Sequence, residues 1–101
     1  MKFLTFAMFD IAKTDDISQV ADKVANTPGI KFLADYLCQG IPFSGVPPNM
    51  VVTISVSEAE TNEAMSAAHY PVQLAGATIW SVPVLEVPIA GASEEEKKLR
   101  G

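Results

Sequence analysis

Apolar side chains fill both parities of residues 3 to 9, with Phe3, Ala7 and Phe9 on one and Leu4, Phe6 and Met8 on the other. A strand patterned in this way is buried on both faces. Beyond Asp10 the period changes. Ile17, Val20, Ala21 and Val24 fall at the i, i+3, i+4, i+7 spacing of an amphipathic helix, which Thr14 or Asp15 can cap. The helix should pause at Asn26-Thr27-Pro28-Gly29. The next stretch fits two periods: Ile30, Phe32, Ala34, Tyr36 and Cys38 alternate as in a strand, whereas Ile30, Leu33, Ala34, Leu37, Cys38 and Ile41 form a helical stripe. Gly40 stands where a helix C-cap glycine belongs, and Asp35 and Gln39 suit a wet helix face. The helical reading predicts one long arm over residues 15 to 39, kinked at Pro28-Gly29.

Residues 41 to 49 contain Pro42, Pro47 and Pro48, which exclude a central strand and predict a short irregular strand running into a turn. Met50 to Val56 is the strongest strand signal, alternating Met50, Val52, Ile54 and Val56 against a more polar parity. Ser57-Glu58-Ala59-Glu60 has capping-box spacing and predicts a helix start. That helix presents Ala59, Ala64, Met65, Ala67 and Ala68 as a small-residue face and is expected to stop at Pro71, after His69-Tyr70. Thr78 to Val87 is apolar on both parities but carries Pro83, which assigns this last strand to an edge. The charged run after residue 90 is expected to be a solvated, frayed tail.

The prolines sort the strands. The first and third lack them and belong in the middle of a sheet; the second and fourth carry Pro42 and Pro83 and belong at its edges. This is the order of a ferredoxin-like β-α-β-β-α-β sandwich of the α+β class, an antiparallel sheet with helices on one face. One such domain is expected over residues 1–90, with a tail over residues 91–101, and the first and third strands are expected to pair in parallel at the centre. The layout resembles the muconolactone isomerase-like branch of the dimeric α/β-barrel superfamily. The resemblance runs over residues 1 to about 88: an apolar first strand, a helical arm ending at a glycine, Val-Thr-Ile-Ser-Val-Ser-Glu-Ala-Glu leading into a helix, and Trp80-Ser81-Val82-Pro83-Val84-Leu85-Glu86 near the end. It implies a homodimeric barrel. Similar small barrels include cofactor-independent monooxygenases and dehalogenating enzymes, so the resemblance transfers no catalytic residue.

Composition sharpens the picture. With 101 residues and 10.8 kDa the chain makes one domain. Its 49% hydrophobic and 19% charged residues, with a mean hydropathy of +0.23, are too apolar for a comfortable small monomer and predict self-association through the sheet. A two-layer monomer would leave one sheet face wet, so a homodimer or higher homo-oligomer packed sheet on sheet is expected. Seven Lys and Arg against twelve Asp and Glu give a charge of -5, and the positives that cluster lie beside glutamates in the tail. No basic stripe tracks phosphates, which argues against nucleic acid and an acidic membrane surface as partners. The apolar run at the start ends too early at Asp10 for an export signal or a membrane span. One cysteine, Cys38, reads as a buried small hydrophobe and suits a reduced cytoplasm.

Candidate chemistry is sparse. His69 is the one side chain whose ordinary pKa makes it a ready general base near neutrality, although a histidine at a helix end also interacts with the carbonyl dipoles there. Tyr36 and Tyr70 can orient a substrate oxygen, and Trp80 can stack on a flat molecule. Asp10 and Glu86 lie near strand ends. No Ser-His-Asp spacing, glycine-rich phosphate loop or paired metal-binding histidines are present, so no cofactor or metal is expected. A cavity between sheet and helical arm is expected, lined by aromatic and methionine side chains, with His69 or Tyr36 facing it alongside Trp80. It would take a small, largely apolar ligand, neutral or weakly anionic. A non-catalytic oligomeric module is the other reading.

Overall fold

The computed structural model describes residues 1–101. Strand β1 (Lys2–Asp10) leads through a 3-10 turn (Ile11–Lys13) into helix α1 (Thr14–Val24). Strand β2 (Ile30–Leu37), strand β3 (Met50–Ala59), helix α2 (Asn62–Leu74), strand β4 (Thr78–Val84) and helix α3 (Ala92–Arg100) follow. The strands form one sheet in the order β2-β3-β1-β4, and every neighbouring pair is antiparallel. This is the expected ferredoxin-like β-α-β-β-α-β sandwich, with β1 and β3 central and β4, which carries Pro83, at an edge.

The expected parallel pairing of the first and third strands is incorrect. Lys2 faces Glu58 and Asp10 faces Met50, so β1 and β3 run in opposite directions. The reason is topological: the α1 crossover returns β2 in the direction of β1, and the connection to β3 reverses it, leaving the parallel partners one strand apart.

The long helical arm over 15 to 39 is also incorrect. α1 ends at Val24, Gly29 takes φ +82, and residues 30 to 37 are the edge strand β2. A second helix there would leave β3 with an open edge. Pairing with β3 satisfies the backbone of both segments and overrides the ambiguous side-chain period. Residues 38 to 49 are an irregular loop, and the short proline-bearing strand expected from residue 41 does not form.

Helix starts differ as well. Asp10 caps the 3-10 turn, accepting from the Ala12 amide at 2.8 Å, while Thr14 donates its hydroxyl to the Ile11 carbonyl and caps nothing. Ser57 is fully buried within β3, so its capping-box spacing is not used. Thr61 caps α2 instead, accepting from the Ala64 amide at 3.1 Å. Pro71 lies inside α2 at an exposed position, where water can replace the lost amide donor, and the helix continues to Leu74. In the tail, Ala92 to Arg100 form α3, which buries no residue and is laced by Lys97–Glu94 and Arg100–Glu96 pairs.

The core lies between the sheet and α1 and α2. Phe3, Ala7 and Phe9 of β1 point into it, meeting Ile17 of α1 and Met65, Ala68 and Val72 of α2. The opposite parity of β1 carries Leu4, Phe6 and Met8, and no helix covers that face. The expectation of helices on one face and an apolar second face therefore holds.

Candidate functional site

One level of the sheet stands out on its helix-facing side. The register pairs Asp35 with Ser55, Ser55 with Thr5, and Thr5 with Ser81, so each of the four strands contributes one polar side chain to a single row. Thr53 and Ser57 of β3 are the other hydroxyls on that face, and α2 lowers His69 onto the row. His69 Nε2 lies 2.6 Å from Ser81 Oγ, and Ser81 Oγ lies 2.5 Å from Thr5 Oγ1.

Above the row is a cavity of about 290 Å³, enclosed by the sheet, α1 and α2. Its walls are mostly aliphatic, with Ala7, Ile17, Val24, Ala68, Val72 and Ile79 among them, and exposed residues of α1 and β2, Ala21, Ala25, Phe32 and Asp35, complete the lining. The expected aromatic and methionine lining is not what the fold provides: Phe32 and Met65 are its only aromatic and methionine. Small alanines on α1 and α2 hold the space open, because no long side chain from those positions fills it.

Asp35 and His69 are the ionisable groups in the wall. Burial lowers the His69 pKa from its ordinary value, keeping the ring neutral near pH 7. Asp35 sits at the rim, partly in water. Loss of solvent on its inner side raises its carboxyl above the usual value, and hydrogen bonding from the Tyr36 backbone pulls the other way. A neutral imidazole and a destabilised carboxylate on one apolar cavity can bind a ligand's polar end and exchange a proton with it.

The structure separates the residues that the sequence analysis grouped. His69 faces the cavity. Trp80 and Tyr36 lie on the other side of the sheet, in the adjacent row Tyr36, Ile54, Phe6, Trp80. There Trp80 stacks on Phe6 with ring centroids 5.3 Å apart, and Phe43 of the 38 to 49 loop packs edge-on to both. Tyr70 is 61% exposed on α2, away from the cavity. Asp10 caps the turn after β1, and Glu86 pairs with Lys2 in solvent. Cys38 is half-buried beside the loop rather than in the core. Asp35, Thr5, Ser55 and Ser81 were missed. Their signal, Thr5 and Ser81 breaking apolar runs and Ser55 within the polar parity of β3, becomes visible only once the strand register is known.

No group of His, Cys, Asp and Glu in the fold could hold a metal ion, and no helix is long and apolar enough to cross a membrane. No protein-family model matches the sequence, and no curated protein is detectably similar to it. Solved structures do share the fold. SnoaB, a cofactor-independent oxygenase from Streptomyces nogalater, is similar at a TM-score of 0.51 and 16% identity, over 86% of this chain and 97% of that one. A Deinococcus radiodurans protein, provisionally assigned as an antibiotic biosynthesis monooxygenase, is similar at 0.52 and 13%, over 90% of this chain and 100% of that one. A dimeric ferredoxin-like protein of unknown function from Jannaschia sp. is similar at 0.50 and 12%, over 83% and 100%. At these identities the likeness establishes the fold and no activity.

Proposed function

We propose that the chain is a small homo-oligomeric α/β-barrel protein that takes a small, largely apolar or aromatic molecule into the cavity between its sheet and helices and acts on it without a cofactor. The observation that carries this reading is the cavity itself: about 290 Å³, aliphatic walls, and its ionisable groups, Asp35 and His69, on one polar row. A room of that size suits a molecule of one or two rings. With Asp35 and His69 as its polar contacts, the chemistry within reach is proton exchange, as in an isomerisation or the activation of a substrate for oxidation. The likeness in fold to a cofactor-independent oxygenase is compatible with that chemistry. The muconolactone isomerase-like layout rests on the same four-strand topology, and no cavity residue ties the chain to that reaction over another. Self-association through the open sheet face is supported by the half-buried Leu4, Phe6, Ile54, Val56 and Trp80 on it and by the dimeric relative of like fold.

A screen of one- and two-ring aromatic fragments by NMR on isotopically labelled protein tests the reading. Saturable shifts at Ile17, Ala68, His69, Val72 and Ile79 are expected, while Tyr70 and the tail stay unchanged. Shifts confined to Tyr36 and Trp80, or none at all, would leave the non-catalytic oligomeric module as the better account.

A further inference from the structure

The hydrogen-bond chain that ends on His69 has a direction. A hydroxyl carries one proton, and an imidazole nitrogen either holds a proton or accepts one. Thr5 is 7% exposed on the central strand, and Ser81 Oγ is the only side-chain or backbone partner of its hydroxyl. Ser81 Oγ in turn touches Thr5 Oγ1 and His69 Nε2 and nothing else. If His69 donated from Nε2 to Ser81, then either the Ser81 proton or the Thr5 proton would lack an acceptor within the protein. Both hydroxyl protons find an acceptor in one arrangement only: Thr5 donates to Ser81, Ser81 donates to Nε2, and the ring's own N–H is left for water or a ligand. A hydroxyl proton left without an acceptor at the Thr5–Ser81 pair, of which Thr5 is buried, costs more than an N–H on a ring that is only part-buried, and this favours that arrangement.

From this geometry we infer that Thr5 and Ser81 are positioning residues that fix the neutral His69 ring with its proton on Nδ1, so that His69 meets a ligand as a hydrogen-bond donor and the cavity selects molecules presenting an acceptor oxygen, such as a ketone. Nε2 is occupied, and Nδ1 has no partner in the protein. The histidine is thereby withdrawn from the general-base role that its residue type suggests, and Asp35 is left as the ionisable acceptor in the wall. The ligand half of this inference rests on the reading of the cavity as a binding site; the tautomer half does not.

His69 is the only histidine in the chain, so its ring nitrogens can be followed without assignment ambiguity. Long-range ¹H–¹⁵N spectra of uniformly labelled protein at neutral pH should show a protonated, pyrrole-like Nδ1 and an unprotonated, pyridine-like Nε2. Free neutral histidine favours the opposite tautomer. Ser81→Ala and Thr5→Val should move the ring toward that intrinsic preference while the methyl spectrum of the core stays native-like. A proton on Nε2 in the wild-type protein, or an unchanged tautomer in a folded Ser81→Ala variant, overturns the inference. For the ligand half, acetophenone is compared with α-methylstyrene, in which a methylene replaces the carbonyl oxygen. Acetophenone should bind about fivefold more tightly to the wild type, and the preference should vanish in Ser81→Ala. Equal binding of the two compounds refutes the donor role and spares the cavity reading. Binding of neither refutes the cavity reading, and the spectra still decide the tautomer.

Discussion

Asp35 and His69 are perturbed in opposite senses by the same apolar wall, and their signatures in stability differ accordingly. His69 has a lowered pKa in the fold. Above its ordinary value of 6.5 both folded and unfolded chains hold it neutral, and the fold suffers no loss. As pH falls below that value the unfolded chain takes up the proton more readily, so stability declines until the folded ring is protonated too. Replacing His69→Gln should remove this acid-side decline, seen as the difference between the two proteins' denaturant midpoints from pH 7 to pH 4. Asp35 has a raised pKa, so its contribution is intact below the ordinary 3.8 and is lost as pH rises through the folded value. Asp35→Asn should therefore raise the melting temperature slightly at pH 7, since solvent screens the exposed carboxylate, and leave it unchanged at pH 3. A drop at pH 7 would mean that the carboxylate is held by a partner the fold does not show. A stabilising variant of this kind is also what a functional residue held in an unfavourable place would give.

Elements reveal where the pattern of side chains is informative and where it is not. β1, the core of β3 and the edge position of β4 were legible because burial on known faces and a proline in the ladder leave few alternatives. Residues 30 to 37 were not legible, since an edge strand beside an open cavity mouth buries too few side chains to imprint a period of two. Placed on a helix, Asp35 looked like a wet-face residue; placed on β2, it lies on the helix-facing side of the sheet, opposite to the side that carries Tyr36. That one exchange of period concealed half the site. Ser57 misled for a related reason, because its spacing to Glu60 is that of a cap while its burial in β3 is decided by the length of the pairing with β1. Thr61 does the capping, so Thr61→Ala should cost about 1 kcal/mol of stability, and Ser57→Ala should leave the start of α2 unaltered. Urea unfolding of the two variants separates these outcomes, and a Thr61→Ala protein as stable as the wild type would count against the cap.

At the scale of the whole molecule, the sheet divides the chain into a finished half and an unfinished one. The helix side has a core; the other side offers Leu4, Phe6, Ile54, Val56 and Trp80 with only the 38 to 49 loop, through Phe43, against part of them. The radius of gyration, 15.5 Å, exceeds the roughly 13 Å of a compact chain of this length, and the segment after β4 exposes Leu85, Val87 and Ile89 on its way to α3. Light scattering at micromolar concentration should give at least twice 10.8 kDa. Ile54→Asp, on the central strand of the open face, should shift that mass to the single chain while circular dichroism stays native-like, and a wild-type mass of one chain would end the case for assembly. The Phe6–Trp80 stack adds a practical consequence. Trp80 is the protein's sole indole, and it sits on the uncovered side of the sheet, with the cavity on the other. Its fluorescence therefore gauges association: emission should redden on dilution as the face meets water, and should hold steady when a molecule enters beneath the helices.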